Sequence, residues 1–205
     1  MKILRMFQTS IISLVFLVVL SACASSLPRW GAGGHYEAGK EEFLRGKGGN
    51  MDRAIAELET VVRENPTYKD SLTLLGRAYY NKARYQDAAA ILQRAVVVKK
   101  DDEIAWIVLG AARLRLNQNE EGLEAMKGGI SLLSRAAVDG YRNYPMWDTR
   151  GLIRASIRRT AFILTKEGNN KDEILSEVNT LLSRIDDEDN FQRRDTPRRN
   201  RRDAS

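Results

Sequence analysis

Few side chains in this chain of 205 residues stand where they could do chemistry. There is one cysteine, Cys23, and one histidine, His35. A structural zinc needs four such ligands, and a nucleophile needs a base that is itself oriented by a third group. His35 lies next to Gly33 and Gly34 with neither kind of partner in reach along the sequence, so we expect no metal, no cofactor and no catalytic residue. Paired carboxylates occur at Glu120-Glu121 and in the run Asp186-Asp187-Glu188-Asp189, and neither place offers the desolvated pocket that acid–base work requires. No glycine-rich loop follows a strand to cradle phosphate. Two features remain. One is the sulfur of Cys23. The other is the set Arg150, Arg154 and Arg158, whose spacing of four puts three guanidiniums on one helix face, joined by Arg159. Such a stripe is possible anion-binding chemistry for lipid headgroups, a polyanion or an acidic partner, although faces of this kind are more often solvated or paired within the protein.

Cys23 closes an apolar run. Lys2 and Arg5 form a charged start, Ile11 to Leu20 an apolar stretch, and Ser21 and Ala22 give a peptidase little bulk to clear. A spanning helix needs about 20 mostly apolar residues. Gln8, Thr9, Ser10 and Ser21 interrupt this one, which argues against an uncleaved anchor, while an ordinary secretory signal remains an alternative. Leu20-Ser21-Ala22-Cys23 resembles the lipobox of bacterial lipoproteins. The resemblance implies a signal peptide over 1–22, cleavage before Cys23, lipidation of its sulfur and acylation of its new amino group. Two acyl chains anchor a protein stably. Ala24 stands where the family's inner-membrane retention signal places aspartate, so the resemblance implies an outer-membrane location facing the periplasm. Residues 23–35, with Ser25, Ser26, Pro28, Gly31, Gly33 and Gly34, read as a flexible tether.

The body of the chain repeats. Ala54, Ala88 and Gly122 recur every 34 residues, as do Leu58, Leu92 and Met126, then Val61, Ala95 and Gly129, and Gly76 with Gly110. Small and large apolar columns in this register are what two antiparallel helices need to approach closely and fill the space between them. The second unit, with Leu72, Leu75-Gly76, Tyr79, Tyr85, Ala88, Leu92 and Ala95, resembles the tetratricopeptide repeat, and the first unit ends on Pro66 as that pattern often does. The implied fold is all-α, a solenoid of helical hairpins. In the second unit the helices are expected at Ser71 to Lys82 and Gln86 to Lys99. In the third they fall at Glu103 to Leu116 and Glu120 to Leu133, weakened by Gly122 and Gly129. Asp70 and Asp102 are capping candidates. The first unit, Tyr36 to Arg45 and Ala54 to Pro66, is irregular through a long loop at Gly46 to Asn50.

About three repeats thus occupy 36–134. Residues 135–185 read as a helical cap or degenerate repeat. Trp147 and Gly151 copy the offset of Trp106 and Gly110, and Ile153, Ile157, Ala161 and Leu164, then Ile174, Val178, Leu181 and Ile185, follow helical spacing. Residues 186–205, acidic and then rich in arginine around Pro197, read as a disordered charged tail. With 33 basic and 27 acidic residues the excess of positive charge is modest and says little about nucleic acid, which we do not expect as a partner.

In solenoids of this kind the resemblance places function on the concave face of the first helices. Asp70, Thr73, Arg77, Tyr80, Asn81, Ile104, Ile107, Ala111, Leu114 and Arg115 lie outside the packing columns and form the expected partner-binding groove, polar at one end and apolar at the other. It suits a peptide or helix. Thr73 and Arg77 replace the lysine and asparagine set by which chaperone-binding relatives clamp a carboxylate, so that activity is not implied. The expected function is a non-enzymatic, membrane-anchored scaffold or assembly factor for an envelope complex. The alternative is a binder of anionic envelope polymer or lipid through the C-terminal arginines. The alternative for the apolar half of the groove is that the protein's own C-terminal helices cover it.

Overall fold

Each repeated apolar stripe folds as one side of a helix pair. A computed structural model describes residues 31–137, 147–166, 168 and 170–202, and among these it is all-helical. The signal segment, Cys23 and the tether up to residue 30 lie outside the described residues. The helices are α1 (Gly31–Leu44), α2 (Met51–Glu64), α3 (Ser71–Asn81), α4 (Tyr85–Val98), α5 (Glu103–Arg115), α6 (Asn119–Ala136), α7 (Leu152–Thr165) and α8 (Lys171–Arg202). They pack as consecutive hairpins, α1 with α2, α3 with α4, α5 with α6 and α7 with α8. The second and third units begin and end within a residue or two of their expected bounds, except that α6 continues to Ala136.

Close approach explains the small columns. A methyl group on Gly76 would lie 2.4 Å from Leu92 Cγ, and one on Gly110 would lie 2.6 Å from the Gly122 carbonyl oxygen. On Gly129 it would meet the Ile107 backbone nitrogen at 2.7 Å. Gly122 and Gly129 therefore do not simply weaken α6; they are where α5 lies against it. Ala54, Leu58, Ala88, Leu92 and Met126 are fully buried in the same core.

The first unit is more regular than its sequence shows. Gly39 meets Leu58 and the Ala54 carbonyl as Gly76 meets Leu92, and the two glycines are 37 residues apart, three more than the repeat. Gly46, Ala83 and Asn117 hold the same turn in the three hairpins with φ of 57°, 57° and 63°. The three extra residues follow Gly46 and continue a short 3-10 turn, Gly46–Gly48, so the long loop is an insertion beside an intact hairpin.

Capping follows the sequence in part. Asp102 accepts from the Ala105 backbone N–H at 2.9 Å, as expected. Asp70 makes no cap to α3 and instead accepts the Tyr36 hydroxyl at 2.5 Å, tying the first hairpin to the second. Two boundaries change. Residues 31–35, expected in the tether, lie within α1, where a methyl group on Gly33 would be 3.1 Å from the Tyr68 hydroxyl. The expected disordered tail is, from 186 to Arg202, the continuation of α8. It does not fold alone: a helix already nucleated and buried at Ile174, Val178, Leu181 and Ile185 extends at little further cost, and Asp189 and Gln192 are buried with it.

Two outcomes check this packing. In urea unfolding, Gly76→Ala should lose about 1–3 kcal/mol to overpacking, whereas Gly128→Ala, which has nothing within 4 Å, should gain about 0.5–1 kcal/mol. Burial, with the 2.5 Å bond to Glu59, pushes the Tyr79 phenol up to about 12. Against an unfolded value of about 10, its stabilisation is complete below that pH and disappears as the pH rises through about 12. The difference in alkaline denaturation between the wild type and Tyr79→Phe measures it.

Candidate functional site

The expected groove residues lie on or beside α3 and α5, and the structure divides them into three groups. Ile104, Ile107, Ala111 and Leu114 belong to the core. Ile107 is 0% exposed and sits against Gly129, and Leu114 is 2% exposed and sits over Gly122. The bare glycines on α6 leave room that these side chains fill, so the apolar half of the expected groove is helix packing. Thr73 is also committed, donating to Asp102 Oδ2 at 2.7 Å and fastening α3 to the start of α5. Asp70 is half-buried on Tyr36. What remains as a face is Arg77 and Tyr80, with Asn81 and Arg115 exposed at its rim.

That face is occupied. Along α8, Lys171 Nζ donates to Asn117 Oδ1 at 2.8 Å, Tyr80 donates to Asn179 Oδ1 at 3.4 Å, and Asn190 Nδ2 donates to the Leu44 carbonyl at 2.9 Å. The helix thus passes from the end of α5, across α3, to the end of α1. Midway, Arg77 Nη2 donates to both carboxylate oxygens of Asp186 at 2.7 and 2.8 Å. Arg77 is 6% exposed and its guanidinium lies 4.8 Å from the centre of the Phe43 ring. Burial raises the Tyr80 phenol above its ordinary value, with Arg115 opposing the shift. The C-terminal helix therefore lies on the polar face that remains of the groove, whereas the sequence left open that the C-terminal helices cover its apolar half.

The seam between α8 and the concave face is incompletely filled. A cavity of about 370 Å³ lies between Arg77, Tyr80, Asn81, Tyr85 and Arg115 on the solenoid and Asn179, Leu182, Ser183 and Asp186 on α8. A second, of about 700 Å³, lies between Phe43 to Gly48 and the Asp186–Arg194 stretch. On its other side α8 is bonded to α7. Glu177 pairs with Arg159 at 2.9 Å, and Arg184 Nη1 donates to the Leu152 carbonyl at 3.0 Å and to Ser156 Oγ at 2.5 Å.

The arginine stripe does not form one free face. Arg150 lies in the turn before α7, not on it. Arg154 donates to the Asp148 carbonyl at 3.0 Å and its Nε lies 3.4 Å from Asp148 Oδ2; Arg158 is exposed. Asp148, which the sequence reading missed, is buried, has φ of 49°, and accepts the backbone N–H groups of Ile153 and Arg154 at 2.9 and 3.0 Å. An aspartate a few residues before an apolar helical stripe is the signal that could have found this cap. His35 Nδ1 lies 2.6 Å from Glu57 Oε2, a bond between α1 and α2. Among the described residues no cluster of three or more histidine, cysteine, aspartate or glutamate side chains is placed to hold a metal, and no helix is long and apolar enough to cross a membrane.

A double-mutant cycle on Arg77→Met and Asp186→Leu should give a coupling energy of about 1–3 kcal/mol by chemical denaturation. A value near zero would mean that the pair does not hold α8 to α3.

Residues 47–112, from the insertion through most of α5, match the tetratricopeptide repeat family, over less than half of the chain. No curated protein and no solved structure matches it. The described chain is all-α, consistent with a solenoid of the tetratricopeptide type, and over 47–112 it is similar to a family whose repeats serve as non-catalytic modules for protein–protein interaction.

Proposed function

We propose that the protein is a periplasm-facing lipoprotein, anchored in the outer membrane through Cys23, whose solenoid docks a protein partner as a scaffold or assembly factor for an envelope complex. The observation that carries the docking half is the occupied concave face. Arg77, Tyr80 and the cavities beside them hold a helix, and a surface that holds one helix has the width and the polar anchors to hold another. The membrane half rests on the Leu20-Ser21-Ala22-Cys23 sequence and on the spacer that follows it. The expected tether, 23–35, overlaps α1 over residues 31–35, and the rest of it lies outside the described residues.

The Arg150, Arg154, Arg158 stripe carries less weight as a rival site. Arg154 is engaged at the α7 cap, and Arg150 is off the helix. Docking is the better-supported use of this molecule.

Crosslinked co-purification from intact cells tests the reading. A rim variant, Asn81→Asp with Arg115→Glu, changes exposed groove positions and leaves the core residues Ile107 and Leu114 alone. A partner captured by the wild type and lost from the rim variant is the expected result, and an unchanged set of partners would remove the groove assignment. In fractionated cells, Cys23→Ala should shift the protein from the membrane to the soluble fraction and abolish incorporation of labelled fatty acid. Membrane retention without the cysteine would contradict the lipid anchor.

A further inference from the structure

The solenoid side of the seam with α8 has a charge that it does not balance itself. Around the 370 Å³ cavity the solenoid contributes Arg77 and Arg115 and no acidic side chain, and α8 contributes Asp186. Arg77 is buried, so the face needs a carboxylate from whatever lies on it; a buried guanidinium left alone would be costly. The need is met here by the protein's own helix, which presents Leu182 and, four residues later, Asp186 to the same cavity. Asn179 and Asn190 bond the face on either side of this pair. These four positions lie on one side of a helix. Bonds along this seam spread from Asn117 to Leu44, with cavities of about 370 and 700 Å³ beside them. The opposite side of α8 is bonded to α7 through Glu177 and Arg184. The helix is thus joined to α7 independently of the groove, and it can leave the groove without losing that support.

We propose that α8 is an exchangeable occupant of the concave face, and that the partner is an amphipathic helix bearing an apolar residue followed four residues later by a carboxylate, the pair that Leu182 and Asp186 now present. The inference rests on the reading of the concave face as the docking surface and specifies the chemistry of what docks there. The partner's carboxylate takes Arg77, its apolar residue enters the cavity beside Tyr80 and Val108, and α8 swings out with its contacts to α7 retained. Self-occupancy keeps the buried arginine paired while no partner is present. It also sets a threshold, because a weak ligand cannot displace a tethered competitor.

A fluorescent peptide copying residues 175–194 is the probe, titrated by anisotropy into the full-length chain. Loosening the resident helix with Asp186→Asn in the protein should tighten peptide binding at least tenfold relative to the wild type. Arg77→Met should abolish binding in either background. A peptide carrying lysine at the position of Asp186 should fail on the Asp186→Asn chain and bind an Arg77→Glu chain. Helical circular dichroism and amide protection across α3 to α6 confirm that each variant is folded, and Arg115→Glu, at the exposed rim, repeats the test by weakening the same field without opening a buried site. Equal affinity for the wild type and Asp186→Asn, or affinity indifferent to Arg77, would overturn the proposal. If the peptide obeys the charge rule while the rim variant keeps all its cellular partners, the exchange stands and the scaffold reading falls. If partners are lost from the rim variant but the peptide ignores Arg77, the scaffold stands and this inference falls.

Discussion

The two helices of each of the first three hairpins lie side by side where one of them lacks a side chain. At Gly76, Gly110 and Gly129 the neighbouring helix comes within 2.4–2.7 Å of where a methyl group would be, and at Gly39 within 2.9 Å. This approach brings Leu58, Leu92 and Met126 into full burial, and it is repeated at fixed spacing so that successive hairpins stack with the same sense. The concave face is a consequence. Because α1, α3 and α5 are each held at the same depth against their partners, the residues that project from them form a continuous surface, and whatever covers it must be a long, straight element. A helix meets that requirement.

An open solenoid has an end to seal as well as a face to fill, and the α7–α8 hairpin does both. α7 packs against α6 at the end of the stack, and α8 leaves it to run back over the earlier hairpins as far as Leu44. The two tasks use different chemistry. The seal is apolar, built on Ile153, Ile157, Ile174, Val178 and Leu181, whose burial at roughly 25 cal/mol per Å² outweighs any single polar bond in the seam. The contact with the groove adds polar bonds through Asn179, Asp186 and Asn190 beside the apolar Leu182. An ion pair such as Arg77 with Asp186 adds little net stability once desolvation is counted, but it is directional. It sets the position of α8 along the groove where apolar contact alone would let it slide. The same feature makes that position open to competition from another carboxylate.

The sequence exposes local periodicity well and long-range pairing poorly, and the particular successes and failures follow that line. The columns at Ala54, Ala88 and Gly122 fall in one register because each hairpin is built the same way, and they locate α3 to α6 closely. Gly39 is invisible at a spacing of 34 because three residues are inserted after Gly46, and only the repeated left-handed turn reveals the correct alignment. Ile107 and Leu114 look like groove residues by position, yet glycines on the opposite helix draw them into the core. The tail looks disordered by composition because charge and Pro197 disfavour an isolated helix; it continues a helix buried at Ile174 to Ile185, and its Asp186 pairs with Arg77, 109 residues away. No pattern within the tail contains that information. Arg154 belongs to a visible stripe, but the group that engages it, Asp148, sits in a turn with φ of 49° that periodicity does not reach.

The central claim is that the C-terminal helix lies along the concave face, and a distance measurement tests it most directly. Spin labels at Arg45 and Arg193, both exposed and both lining a further cavity of about 290 Å³ where α8 meets the end of α1, would be placed in a chain whose native cysteine is replaced. Pulsed electron resonance should return one narrow population at short distance. A broad distribution extending to long distances would show α8 free of the groove, and the account of an occupied concave face would be wrong.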